Sequence, residues 1–104
     1  MTTRSREESR PEFEIVWSAK ALSRLREIRQ YVGADKPEAA TRLAARIVSV
    51  VAVLRIQPRM GRAGAEPGTR ELVIGGTPYI VIYKVGRNSV TILTIWHGAQ
   101  QRHS

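Results

Sequence analysis

The sequence predicts an α+β fold with the order β-α-α-β-β-β, in which a helical hairpin packs on one face of a small, mainly antiparallel sheet. Three observations predict this fold. Two amphipathic helical patterns follow each other between residues 18 and 56. Three short apolar runs, separated only by turns, then occupy residues 69–96. A chain of 104 residues has room for one such core and not for two.

The first strand and the first helix come directly after each other. Residues 12–17 alternate apolar and polar side chains, which is typical of a short strand with one buried face. Ser18 is a favourable N-cap, and the apolar spacing that follows predicts a helix to about residue 32. The apolar positions are Ala21, Leu22, Leu25, Ile28 and Val32. Gly33 fits the left-handed position that often follows a helix.

A second helix begins at the sequence DKPE, residues 35–38. Proline at the first helical position needs no amide partner, and an acid in the first turn favours the helix dipole. The apolar stripe over residues 40–54 is the most regular in the chain. Pro58 ends this helix near residue 56. Residues 57–68 contain three glycines and two prolines and are predicted to form a loop.

Three C-terminal runs of β-forming residues supply the rest of the sheet. They occupy residues 69–74, 79–85 and 90–96, and turns at 75–78 and 86–89 join them. Such short turns predict an antiparallel meander. The run at 79–85 is apolar on both faces, as a buried central strand should be. The first strand must join this sheet to bury its apolar face, and the sheet face away from the helices stays open.

Basic residues outnumber acidic ones, and the surplus is uneven. The chain has 17 Lys and Arg residues against 9 Asp and Glu, a formal net charge of +8. Nine basic residues but only Glu66 and Glu71 lie after residue 41. Such asymmetry indicates a polyanionic partner or an acidic protein partner. Because 14 of the 17 basic residues are arginine, a compositional bias of the genome is the alternative explanation.

Composition also limits the classes of function. The chain has no cysteine, which excludes disulfides, thiolate metal sites and cysteine nucleophiles. No apolar run is long enough to span a membrane and the N-terminus is charged, so we expect a cytoplasmic protein without membrane contact. Residues 1–11 are expected to form a disordered arm, which leaves residues 12–104 as a single domain. No histidine pair has metal-ligand spacing, so we predict no metal site and no cofactor.

Five stretches within residues 13–100 form an ordered set of motifs. They read VWSAKALSRLREIRQYV, PEAATRLAARIVSVVAVL, PRMGRAGAEPGTREL, GGTPYIVIYKV and VTILTIWHGAQ. Taken in this order, the set resembles the RelE/ParE superfamily of type II toxin-antitoxin toxins, whose small fold has the same order of elements. The resemblance implies a cognate antitoxin that binds the toxin in a hetero-oligomer. It also implies one of two targets, because ParE-like members inhibit DNA gyrase and RelE-like members cut mRNA on the ribosome.

RNA cleavage without a metal needs a base, a cation and an acid around the scissile phosphate. By resemblance, the candidate base is Glu66, the candidate cations are Arg70 and Lys84, and the candidate acid is His97. Nuclease members typically carry an arginine three residues before the tyrosine of the central strand, where this chain has Ile80. The loss of such a cation costs on the order of 3–4 kcal/mol of transition-state stabilisation.

The departure at Ile80 favours inhibition of DNA gyrase. Three alternatives stay open: ribosome-dependent mRNA cleavage, a divergent toxin without activity, and a plain nucleic-acid-binding module. The chain is an enzyme, an endoribonuclease, if it cleaves mRNA, and it is not an enzyme if it inhibits gyrase as ParE-like members do. Each candidate also has a structural interpretation, because Glu66 could be solvated, His97 could be an ordinary strand-end histidine and Tyr83 could belong to the core. The candidate target-binding residues are Arg59, Arg62, Arg70, Tyr83, Lys84, Arg87, His97 and Arg102.

Overall fold

The computed structural model describes residues 12–98 and confirms the predicted fold class. The elements are β1 (Glu14–Trp17), α1 (Ala19–Gly33), α2 (Pro37–Ala52), a 3-10 turn (Val53–Arg55), β2 (Arg62–Ala63), β3 (Arg70–Val73), β4 (Tyr79–Val85) and β5 (Ser89–His97). The two helices pack on each other and on one face of the sheet. The expected arm at 1–11 and residues 99–104 lie outside the described residues.

The five strands form one sheet in the order β1-β5-β4-β3-β2. The last three strands pair antiparallel, as the short turns predict. The first strand joins at one edge and runs parallel to β5, with Ile15 opposite Val90. The two-residue strand β2 lies inside the predicted loop and pairs with β3 at the other edge. Both of its residues are exposed, so it leaves no apolar alternation in the sequence.

The helix ends differ in two respects from the predicted ends. Gly33 is the last residue of α1 and has no positive φ, so the left-handed prediction is wrong. A Cβ at Gly33 would lie 3.4 Å from Ala40 Cβ, which is the distance of an ordinary van der Waals contact between the two helices. The second helix ends at Ala52 rather than near residue 56. The 3-10 turn follows, in which the Ile56 amide donates to the Val53 carbonyl.

The core lies between the helical hairpin and the helix-covered sheet face. The helices contribute Ala21, Ile28, Ile47 and Val51, the 3-10 turn contributes Leu54, and the strands contribute the rest. Leu22, predicted for the apolar stripe of the first helix, is 42% exposed.

A β-bulge keeps the last strand aligned with the core. Ile82 pairs with Thr94 but Tyr83 pairs with Ile92, which leaves Leu93 as an extra residue. The Ser18 hydroxyl, which caps α1, donates to the Leu93 carbonyl at 3.0 Å. Arg24 Nε donates to the Ile95 carbonyl. Beyond the end of β1, the β5 carbonyls therefore accept hydrogen bonds from side chains at the start of α1 instead of from a neighbouring strand.

Candidate functional site

The sheet has a helix face and an open face, and the predicted site residues divide between them. Tyr79 and Tyr83 of β4 pack in the core, so their side chains lie on the helix face. Successive side chains of a strand alternate, so the Ile80 side chain lies on the other face, which we call the open face. We call the end of the sheet with the turn at residues 86–88 the hairpin end. We call the opposite end, where Tyr79 pairs with His97, the His97 end.

An apolar row crosses the open face at Ile80. Val73 of β3 pairs with Ile80, and Ile80 pairs with Trp96 of β5. Directly paired residues share a sheet face and lie close together. Ile80 is buried, Trp96 is half-buried and Val73 is half exposed. The arginine that is missing at Ile80 is therefore not replaced by a cation from either neighbouring strand.

The adjacent row on the open face contains an ion pair. Arg62 of β2 pairs with Glu71 of β3, which in turn pairs with Ile82. Arg62 Nη2 lies 3.0 Å from Glu71 Oε1, and Arg62 Nε donates to the same oxygen. The Glu71 side chain is only 14% exposed, so the pair is partly shielded from water. The charge of Arg62 is thus compensated within the fold itself.

The predicted catalytic residues do not come together. Arg70 is level with Tyr83, whereas His97 is level with Tyr79. Four residues span about 13 Å along a strand and two strand spacings add about 10 Å, so Arg70 and His97 lie about 16 Å apart. Glu66 is exposed in the turn between β2 and β3, beyond Arg70 as seen from His97. In this arrangement the three residues do not surround one point, so the expected catalytic group stays a prediction that the register does not support.

Arg70 projects from the helix face and binds backbone carbonyls. Its Nη1 donates to the Gly61 carbonyl at 2.7 Å and to the Arg59 carbonyl at 3.4 Å. The guanidinium therefore lies on the opposite face of the sheet from Ile80. Arg70 thus binds two loop carbonyls in this structure, and its expected role as a cation for an RNA phosphate or as a target contact stays a prediction.

Tyr83 is fully buried and binds the same loop. Its hydroxyl donates to the Pro58 carbonyl at 2.8 Å and accepts from the Gly61 amide at 2.8 Å. Burial raises the pKa of the Tyr83 hydroxyl above its usual value of 10.0, while the Gly61 amide and Arg70 oppose this shift. Because Tyr83 has no exposed surface, the expectation that it contacts a target is corrected.

Four of the expected target-binding residues are exposed: Arg59, Arg62, Lys84 and Arg87. Arg59 follows Pro58 in the segment that Tyr83 and Arg70 hold, and Arg87 lies in the turn at the hairpin end. Lys84 projects from the open face one position from that end of β4. Arg102 lies outside the described residues. These four candidate side chains therefore lie toward the hairpin end.

A cavity of about 360 Å³ lies at the opposite end, beside His97. Its lining residues are Arg24, Glu27, Ile28, Tyr31, Tyr79 and His97. His97 Nδ1 is buried and has no hydrogen-bond partner within residues 12–98. The His97 ring meets the Tyr79 ring edge-on, with centroids 5.5 Å apart. Burial raises the pKa of the Tyr79 hydroxyl, with Tyr31 adding to the shift and Arg24 opposing it.

Two further findings concern the described part of the chain. Between residues 12 and 98, no three acidic or histidine side chains are close enough to share a metal ion. Neither α1 nor α2 has the length and apolar character of a membrane-spanning helix.

Comparison with protein families identifies the chain. The family described as "ParE toxin of type II toxin-antitoxin system, parDE" matches residues 15–102, which is most of the sequence. This chain belongs to the ParE toxin family. The motif resemblance to the RelE/ParE superfamily is thereby confirmed.

Relatives of this ParE-family toxin carry names from both branches of the superfamily. "Putative toxin Y4kP" of Sinorhizobium fredii is 46% identical over 87 residues, which cover 84% of this chain and 90% of that protein. "Toxin RelE2" of Caulobacter vibrioides is 38% identical over 84% of this chain and 97% of its own length. A solved structure described as "Chromosomal ParDE TA system from P. aeruginosa" matches 83% of this chain and 96% of that chain, with a TM-score of 0.78 and 26% identity.

Several residues of this ParE-family toxin gain importance only in the structure. Arg24, Glu27 and Tyr31 line the cavity, and their spacing along α1 places them on one helix face, which is the sequence signal that could have grouped them. Gly61 is buried against Tyr83 and β3. The sequence signal for Gly61 is its place in the PRMGR motif, but Tyr83, which it approaches, is 22 residues away in the chain.

Proposed function

We propose that this ParE-family toxin acts by binding a protein target, DNA gyrase, and inhibiting it. The observation that carries the proposal is the apolar row of Val73, Ile80 and Trp96 on the open sheet face. A developing phosphorane needs a positioned cation, and removal of one comparable donor costs on the order of 10²–10³ in rate. Ile80 itself is buried, so the apolar surface that this row leaves for another protein is that of Val73 and Trp96 on either side of it.

The positions of the other candidate residues support the same proposal. Arg70 donates to the Gly61 carbonyl on the helix face, and His97 lies at the far end of the sheet. Within the described residues, Arg62 near the row is paired with Glu71, and the exposed Lys84 lies toward the hairpin end, away from His97. The described part of neither face thus brings the candidate base, cation and acid around one point, which favours inhibition by binding over RNA cleavage.

We further propose that a cognate antitoxin binds and neutralises this toxin in a hetero-oligomer. Membership of a type II toxin-antitoxin family implies such a partner. The exposed arginines and the net charge of +8 suit an acidic antitoxin segment, since complementary charge accelerates capture. A gyrase target also requires that the toxin act in the cytoplasm, as the sequence predicts.

Two assays run side by side test the mode of action. We expect purified toxin to block supercoiling of relaxed plasmid by DNA gyrase, and primer extension on translated mRNA to reveal no new 5′ ends. Unaffected supercoiling at saturating toxin, together with cuts in the decoding site, would replace gyrase inhibition by RNA cleavage. Co-purification with the product of the neighbouring reading frame tests the antitoxin, and we expect that complex to leave supercoiling unaffected.

A further inference from the structure

We propose that residues 58–61 form a rigid docking loop for the toxin's protein target, and that buried Tyr83 and Arg70 are positioning residues for this loop. The inference rests on the proposed function, because it assigns the loop to the same target. The loop would present Arg59 and Met60 to a protein surface that offers a carboxylate beside an apolar recess. Tyr83 and Arg70 would then affect target binding without touching the target.

Most backbone polar groups of the loop have a hydrogen-bond partner, the described exceptions being the Arg59 amide and the Met60 carbonyl. The Met60 amide donates to the Gln57 carbonyl at 3.1 Å, which closes the turn. The Tyr83 hydroxyl donates to the Pro58 carbonyl and accepts from the Gly61 amide, at 2.8 Å each. Arg70 Nη1 donates to the Gly61 carbonyl at 2.7 Å and, more weakly, to the Arg59 carbonyl at 3.4 Å. Glycine- and proline-containing loops are usually mobile, but the buried Tyr83 and the partly buried Arg70 bind this one to the sheet.

Gly61 allows the loop to sit this close to the sheet. A Cβ at this position would lie 2.7 Å from the Glu71 carbonyl oxygen and 2.7 Å from the Tyr83 hydroxyl. The first contact is with backbone, which cannot move aside easily. The glycine thus serves close packing rather than an unusual φ, since its φ is not positive.

The side chains of the loop point outward while its backbone is fixed. Arg59 and Met60 are both exposed, and Met60 is 42% exposed. Methionine and arginine are both enriched at protein interfaces, where the flexible methionine side chain adapts to an apolar recess. A fixed loop loses little conformational entropy on binding, which raises the affinity that a small contact surface provides.

The charge of the loop favours a protein partner over a nucleic acid. Arg62, next to the loop, already pairs with Glu71, and Glu66 lies in the following turn. Arg59 is therefore the main uncompensated cation of this loop within the described residues. Nucleic-acid affinity grows with the number of phosphates neutralised, and one arginine neutralises only one. One arginine beside one methionine fits a carboxylate next to an apolar recess on a folded protein.

Surface variants of the full-length toxin test the contact. We expect Arg59→Glu with Met60→Ala to raise the toxin concentration that half-inhibits gyrase supercoiling about tenfold or more, without a change in melting temperature. Arg42→Glu with Val48→Ala is the matched control, because both residues are exposed on α2. The control should inhibit like the wild type.

A buried variant tests the positioning role. Tyr83→Phe keeps the ring and removes only the hydroxyl, so we expect a loss of gyrase inhibition severalfold greater than that of Tyr79→Phe, measured well below the melting temperature of each variant. Affinity for the co-purified antitoxin should change equally little in both variants.

The two proposals fail in distinguishable ways. No inhibition by the wild-type toxin overturns the gyrase proposal, whereas inhibition that survives in the Arg59→Glu, Met60→Ala variant overturns only the docking loop. Binding of that variant to a DNA duplex should match that of the Arg42→Glu, Val48→Ala control, which carries the same change in charge, and a much larger loss would also overturn the protein-docking assignment.

Discussion

The buried polar groups at the two ends of the sheet differ in their hydrogen bonding. Toward the hairpin end, the Tyr83 hydroxyl both donates and accepts a hydrogen bond, and Arg70 binds two loop carbonyls. At the His97 end, His97 Nδ1 is buried without a described partner beside a cavity of about 360 Å³. Polar groups that are buried and satisfied make a structure rigid, whereas an unsatisfied one is a cost to the folded state.

This contrast predicts where the molecule tolerates change. The residues that hold the 58–61 loop should be sensitive to the loss of single atoms, because their partners would be left buried and unpaired. The residues around the cavity should be tolerant, because the cavity offers room and His97 Nδ1 has no described bond to lose. Three substitutions and one titration test this difference.

The largest effect is expected for Gly61→Ala. The new Cβ would meet the Glu71 carbonyl oxygen and the Tyr83 hydroxyl at 2.7 Å, so backbone must move and the loop hydrogen bonds must break. We expect a loss of about 3 kcal/mol in the free energy of unfolding, measured by urea denaturation. Gly75→Ala is the control, because its Cβ would meet only an Arg46 side-chain nitrogen at 3.5 Å. Equal stability of the two variants would contradict the close packing of Gly61.

Tyr83→Phe should have the next largest effect. It leaves the Pro58 carbonyl and the Gly61 amide without their partner, and water has no access to the fully buried Tyr83 site. We expect a loss of about 2 kcal/mol in the free energy of unfolding. Tyr79→Phe is the comparison at the His97 end, where we expect a loss below about 1 kcal/mol. If Tyr79→Phe costs as much as Tyr83→Phe, the two ends do not differ as we infer.

The sequence predicts the arrangement of β4 better than it predicts the use of its side chains. Period-two alternation places Tyr79 and Tyr83 on one face, and both pack in the core. The same alternation places Ile80, where the family motif has an arginine, on the opposite face. Pairing across strands then decides what replaces it, and the pairing of Val73, Ile80 and Trp96 depends on register rather than on local pattern.

The role of Arg70 could not be predicted for a related reason. An arginine in a basic half of a chain suggests an anionic partner, but a guanidinium binds backbone carbonyls equally well. The choice depends on which loop the fold brings within reach, and the 58–61 loop comes from a segment about ten residues earlier. The strand β2 and the bulge at Leu93 escaped prediction similarly, because both are defined by the partner strand.

A substitution at His97 should have a smaller effect than either loop variant. His97→Phe removes a buried nitrogen without a described partner and keeps an aromatic ring against Tyr79, with the adjacent cavity to accept the larger ring. We expect the free energy of unfolding to stay the same or to rise by up to about 1 kcal/mol. A loss of more than about 1 kcal/mol would indicate that Nδ1 makes a hydrogen bond after all. The variant should also inhibit gyrase like the wild type.

The smallest effect is expected in alkaline solution, where Tyr83 reports the state of the loop. Burial raises the pKa of its hydroxyl in the folded toxin above 10.0, so the folded state retains a proton that the unfolded state releases. This contribution to stability is fully present below pH 10.0 and is lost as the pH rises through the folded-state pKa. The stability gap between the wild type and Tyr83→Phe should therefore narrow from about pH 10 upward, as measured by urea denaturation. Because Tyr79 shows a pKa shift in the same direction, the comparison is made in a Tyr79→Phe background. A gap that stays constant across this range would mean that the Tyr83 hydroxyl is not held at the loop as the hydrogen bonds to Pro58 and Gly61 indicate.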